Sequence, residues 1–247
     1  MDNLFIEKVT NNNFAWVNEN IDYHELKKET LNGLMVYAIN ENNKLLVLKL
    51  LDKIDITEIE LSKNSNIIMM ACAKGRDDII QMLLDNPRYK EKVYKLALAK
   101  TVDGSTPLMM ACAKCNIQTI KMMLKIPHMK TLIDESSDDG FTALMFACTR
   151  DSKIVKLLLS YKLNLNKQNL RGTTALIIAV CAKKADIVRL LVKHGADIEV
   201  RDMAGYNAMY YAKYCVKTKN VEIEQILLRR NKCINWITRK IYTLKMT

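Results

Sequence analysis

Chemistry on a protein needs reactive side chains at workable spacings, and this chain offers few such sets. Cys112 and Cys115 make a C-x-x-C pair, the spacing of redox dithiols and of half a zinc site. Neither use is completed, because no second ligand pair accompanies it and no dithiol-type context surrounds it. His24, His128 and His194 stand apart from any Cys or carboxylate that would make a base or a metal set with them. G-x-S-x-G, a glycine-rich phosphate loop and H-E-x-x-H are all missing. The expectation is a chain without catalytic residues, metal or cofactor.

What remains is charge. The formal net charge is +11, which invites contact with phosphate. The excess concentrates twice: at Arg88, Lys90, Lys92, Lys95 and Lys100, and at Arg229, Arg230, Lys232, Arg239, Lys240 and Lys245. From these, Arg88, Lys90, Lys92, Arg229, Arg230, Lys232, Arg239 and Lys240 form the candidate set for nucleic-acid or other anionic contact. Many other lysines fall late in helical stretches, where they favour the helix dipole and solubility. The total therefore overstates any patch. The run Asp134 to Asp139 reads first as a solvated loop and second as a site for a basic partner segment.

The elements that carry these residues are helical. Apolar residues make up 49 % of the chain and charged ones 26 %, ordinary for a folded domain. Only 7 Gly, 3 Pro and 6 % aromatics occur, too few turn and strand formers for a sandwich or barrel. The first residues lack a secretory pattern, and no run of 18 apolar residues suggests a membrane span. The 7 scattered cysteines fit a reducing, intracellular compartment, cytoplasmic or nuclear.

A period organises the chain. Met69-Met70-Ala71-Cys72-Ala73-Lys74 recurs at Met109 to Lys114, and looser copies fall at Met145 to Arg150, Ile177 to Ala182 and Met209 to Tyr214. The marker alanines are 38, 71, 111, 147, 179 and 212, a unit scattered just above about 33 residues. About eight residues after most markers comes an aliphatic cluster, such as Ile79-Ile80 with Leu83-Leu84. Each unit thus holds two short helices. Thr106-Pro107 supplies a capping hydroxyl and a proline at the first helical position. Asp77-Asp78, Asn116, Ser152, Asp186 and Asn220 stand at or before the second helices. Gly104, Gly140, Gly172 and Gly205 precede the markers by seven residues, where a turn would demand positive φ.

Asp103-Gly104-Ser105-Thr106-Pro107-Leu108-Met109-Met110-Ala111 resembles the ankyrin pattern D-x-G-x-T-P-L-H-x-A. Asp139 to Leu144 and Gly172 to Leu176 fit nearly as well, and Lys193 to Ile198 looks like the stretch that closes such a repeat. The resemblance implies an all-α fold, an ankyrin-repeat solenoid of stacked helix-turn-helix units with short β-hairpin loops. Residues 30–230 would be the array of about six units, with insertions near 85–102 and 126–139. Residues 1–29 would be an N-terminal capping segment and 231–247 a basic C-terminal helix or tail. The pattern's His is replaced by Met69, Met109, Met145, Ile177 or Tyr210, which removes its hydrogen bonds and lowers the expected stability.

The resemblance also implies a concave face that binds partners. Carried across, the tips contribute Lys63, Ser65, Asp103, Ser105, Asp138, Asp139, Phe141, Arg171, Thr173, Ala204 and Tyr206. The first helices contribute Lys74, Lys114, Arg150 and Tyr214. Phe141 and Tyr206 are the expected anchors, since aromatic rings dominate interface energetics. The function expected is a monomeric, non-enzymatic scaffold or adaptor that binds a protein on its concave face and blocks or recruits it. The alternative is nucleic-acid or phosphate-ligand binding by the basic insertion and tail. The Lys, Ile and Asn bias suggests an AT-rich genome and a host-directed factor of a large DNA virus or intracellular microbe.

Overall fold

The computed structural model describes residues 4, 7, 8, 11, 14–21, 26–61, 65–114, 116–215 and 221–230. Most of them are helical. The chain divides into two compact units, Met1–Ile133 and Asp134–Thr247.

In the first unit, α1 (Phe14–Asn20) packs on α3 (Lys44–Lys53), which pairs with α2 (Lys28–Asn40). The repeats that follow are α4 (Ile67–Lys74) with α5 (Asp77–Asp85), and α7 (Pro107–Lys114) with α8 (Ile117–Lys125). First helices stack on first helices, α2 on α4 and α4 on α7, and α5 meets α8 behind them. One helix pair cannot shield enough apolar surface alone, so neighbouring pairs share a core. The marker residues Ala38, Ala71 and Ala111 are wholly buried, and so are Cys72 and Cys112. Small side chains at these crossings let the helices approach, and the thiols act as small hydrophobes.

The expected insertions are structured. Residues 87–97 form an additional helix, α6 (Pro87–Ala97), and residues 129–132 a single turn, α9 (Met129–Leu132). The carboxamide of Asn86 accepts from Arg88 N, and Pro87 opens α6 at its first turn, the arrangement proline suits best. Tyr89, Val93 and Ala97 face inward, against α4, α5 and the short 3-10 turn Ile56–Glu58. Asn66, itself buried, joins the two structures: its side chain caps α4 through Ile68 N and Met69 N and donates to Leu96 O at 2.9 Å.

The second unit repeats the scheme with α10 (Ala143–Ala147), α11 (Ser152–Leu158), α12 (Ala175–Cys181), α13 (Ala185–Lys193) and α14 (Ala208–Tyr210), which continues as a π turn over Tyr211–Cys215. Residues 221–230 form a last described helix, α15. Thr142, Thr174 and Asn207 cap the first helices through the third backbone N–H of each. Among the second helices, Asn116 caps α8 as its type suggests, whereas Asp151 rather than Ser152 caps α11. Asp186 lies inside α13, whose cap position, Lys184, makes no side-chain cap bond. Asn220 lies outside the described residues.

The expected hairpins are minimal. Tips close with single antiparallel bridges, Leu61–Ser65, Ser136–Thr142 and Gln168–Thr174. The next residue in the chain, or the bridging residue itself, is already a helix cap (Asn66, Thr142, Thr174), so no ladder can extend.

Candidate partner-binding surface

Four tips share one construction. A polar residue opens each: Thr101, Ser137, Asn169 and Asp202. Its side-chain oxygen accepts from the backbone N–H four residues on, at 2.9–3.1 Å. Its own N–H returns a bond to that residue's carbonyl, and the glycine between donates to the opening carbonyl. The glycines, Gly104, Gly140, Gly172 and Gly205, have φ of 72°, 80°, 73° and 81°, the left-handed region that excludes most side chains. The opening residues escaped sequence reasoning because hydroxyl, carboxamide and carboxylate all fill one acceptor role. The signal was a polar residue three before each glycine.

In the second unit the tips are chained. Leu170 N donates to Asp139 O at 2.9 Å, and Met203 N donates to Arg171 O at 3.0 Å. This holds Asp138, Asp139 and Arg171 outward, all three exposed. Leu170 and Met203 also project, 62 % and 80 % exposed.

Beside the last tip lies a tyrosine cluster. Tyr206 stacks on Tyr210 with centroids 3.9 Å apart, Tyr211 meets both edge-on, and Tyr214 tilts over Tyr210 at 5.1 Å. Tyr211 donates its hydroxyl to Asp202. Burial alone would raise the Asp202 carboxyl, but this bond and the N–H groups of Tyr206 and Ala204 hold it below the usual carboxylate range. Tyr206 is 37 % exposed and Tyr214 71 %, large apolar area held rigid by its neighbours. Phe141 is half-buried, its ring 5.5 Å from Phe146, so much of its surface covers its own repeat. Arg150 is exposed just past α10.

The first unit offers a separate groove of about 390 Å³, lined by Val36, Leu61, Ser65, Met69, Met70, Ala73, Lys74 and Met110. Its floor is methionine-rich, a surface that adapts to varied apolar guests. Lys74 and Lys114 stand exposed at the ends of α4 and α7. The residues just before the markers, Tyr37, Met70 and Met110 here and Phe146, Ile178 and Tyr211 in the second unit, are all half-buried. In the sequence the signal for these positions is one large side chain per period, just before the marker alanine. In the tip that Thr101 opens, Asp103 is engaged by the hydroxyls of Thr101 and Ser105, and the Thr101 bond chiefly lowers its carboxyl. Lys63 lies outside the described residues.

The basic candidates divide. Arg88 pairs with Asp52 at 2.7 Å, and Lys92 pairs with Asp55. Those two cations of the insertion are therefore engaged within the chain, while Lys90 is exposed. Arg229 is exposed and Arg230 half-buried on α15, and Lys232, Arg239 and Lys240 lie outside the described residues.

Chemistry at the remaining reactive groups is muted. Burial pushes the Cys72 and Cys148 thiols far up, which suppresses the thiolate. Cys115 lies outside the described residues, as does His24. Among the described residues no three His, Cys, Asp or Glu side chains gather as a metal set, and no helix is long and apolar enough to cross a membrane.

A family model described as ankyrin repeats matches the chain in three copies, over residues 34–129, 88–169 and 161–237. No curated protein matches the chain.

Proposed function

From its membership of the ankyrin-repeat family, whose modules generally mediate protein–protein interactions, we propose that this chain is a non-catalytic scaffold or adaptor that binds a protein partner. The observation that carries this is the exposed apolar set of the second unit: Leu170, Met203, Tyr206 and Tyr214. The rings supply anchors, and Asp138, Asp139 and Arg171, exposed on the preceding tips, supply polar groups, the make-up of a protein-binding patch. Lys74, Lys114 and the methionine groove give the first unit its own contact area. Phe141 contributes the edge of its ring. The partner is held by the array over residues 30–230, the chain acts as a monomer inside a reducing compartment, and the target is a host protein that it blocks or recruits.

The test is a tagged pull-down run at low and high salt, with and without nuclease, for the wild type and for Tyr206→Ala/Tyr214→Ala. The expected result is a stoichiometric protein that survives salt and nuclease and is lost in the variant. Recovery of nucleic acid that vanishes with salt and ignores the variant would refute the proposal. It would favour the basic segments instead, since phosphate contacts are salt-sensitive. Against that alternative, Arg88 and Lys92 already have carboxylate partners.

A further inference from the structure

A second contact area lies away from the tips, in the groove between α13 and α15. It has a volume of about 370 Å³ and is lined by Arg189, Val192, Lys193, Ile226, Arg229 and Arg230. The two helices are fastened at one end by Arg189 and Glu222, 2.7 Å apart. That pair neutralises Arg189 and leaves three cations on the lining with no carboxylate opposite them among the described residues.

Lys193 closes α13, where the dipole alone would explain a cation. Two observations go beyond that explanation. The Arg230 Nε is shielded from solvent and has no hydrogen-bond partner, and a buried donor left unmade is costly. The floor is aliphatic, Val192 and Ile226, and among the described residues its lining contains no ring on which a base would stack. A guanidinium beside an apolar slot suits a carboxylate neighbouring an aliphatic side chain. The sequence carries the same sign onward: residues 228–247 include Arg229, Arg230, Lys232, Arg239, Lys240 and Lys245 and no Asp or Glu.

We infer that this groove docks an acidic segment of a partner protein, its carboxylates on Lys193, Arg229 and Arg230 and one aliphatic side chain over Val192 and Ile226. The site is independent of the tyrosine cluster, so the chain has the two surfaces that bridging requires.

The experiment is fluorescence anisotropy of the full chain with a labelled peptide of repeated Glu-Glu-Leu, competed by duplex DNA and by phosphatidylserine vesicles. The expected result is saturable binding that Lys193→Glu/Arg229→Glu weakens at least about tenfold. Replacing the peptide leucines by serine should weaken it about threefold or more. Both substituted residues are exposed, and circular dichroism verifies that the variant is folded. Tyr206→Ala/Tyr214→Ala should leave the peptide affinity unchanged, so this inference and the proposed function fail separately. Absence of binding, indifference to the charge reversal, or displacement of the peptide by DNA or vesicles at lower concentration would each overturn it.

Discussion

Alanine at Gly140, Gly172 or Gly205 separates two penalties that usually travel together. All three positions have φ between 73° and 81°, so each substitution incurs the left-handed cost, about 1–2 kcal/mol. They differ in what the new methyl meets. At Gly140 it would lie 2.6 Å from Asn169 Cα, and at Gly172 2.7 Å from Met203 N, whereas at Gly205 nothing lies within 4 Å. Ordinary contact begins near 3.4 Å, so the Asn169 backbone must retreat by about 0.8 Å. That retreat stretches the Leu170 N to Asp139 O bond, now 2.9 Å, to about 3.7 Å, past hydrogen-bonding range. Its loss adds about 1 kcal/mol, and imperfect packing adds a similar amount. We expect Gly205→Ala to cost about 1–2 kcal/mol and Gly140→Ala and Gly172→Ala about 3–4 kcal/mol each. The assay is urea unfolding by circular dichroism, with hydrogen exchange localising the loss to the tips. Equal losses at all three sites, or the largest loss at Gly205, would refute the reasoning.

Asp55 predicts an acid-sensitive step. Its carboxyl lies well below the ordinary value of 3.8, chiefly because Lys92 donates to it, with Thr57 adding further bonds. A depressed folded-state pKa stabilises fully above the unfolded value and ceases to do so as pH falls through the folded one. Stability should thus fall below about pH 4 in the wild type and fall less steeply in Asp55→Asn, as measured by urea midpoints across pH. Asn66→Ala removes two cap bonds and the link to Leu96 and should cost about 2 kcal/mol, seen as a lowered urea midpoint. Iodoacetamide with mass-spectrometric readout should label Cys181 in the native state and reach Cys72, Cys112 and Cys148 only in denaturant.

The repeat architecture was legible because periodic small residues have one structural use. Every marker alanine is buried, and the turn glycines take the positive φ their spacing suggests. The acceptor opening each tip was not legible, because Thr101, Ser137, Asn169 and Asp202 share a role but no chemistry type. The extra positions near residue 90 were legible as an insertion and not as a helix, although Asn86-Pro87 carries a start signal. Their pairing with Asp52 and Asp55 joins residues 36 and 37 apart, a separation that periodicity cannot reveal. Of the two expected anchors, Tyr206 keeps exposed area, while the turn beside Phe141 brings Phe146 against its ring.

The α6 helix also bears on how such a chain can change length. Arrays of like repeats tolerate duplication and deletion because each junction accepts any other. Here the segment carrying α6 is keyed to its predecessor by Arg88 with Asp52 and by Lys92 with Asp55, and to α4 by Asn66. Recombination that copied or removed one repeat between residues 43 and 97 would strand those charges. Unequal exchange should therefore be poorly tolerated there, leaving the early repeats as a fixed block in the lineage.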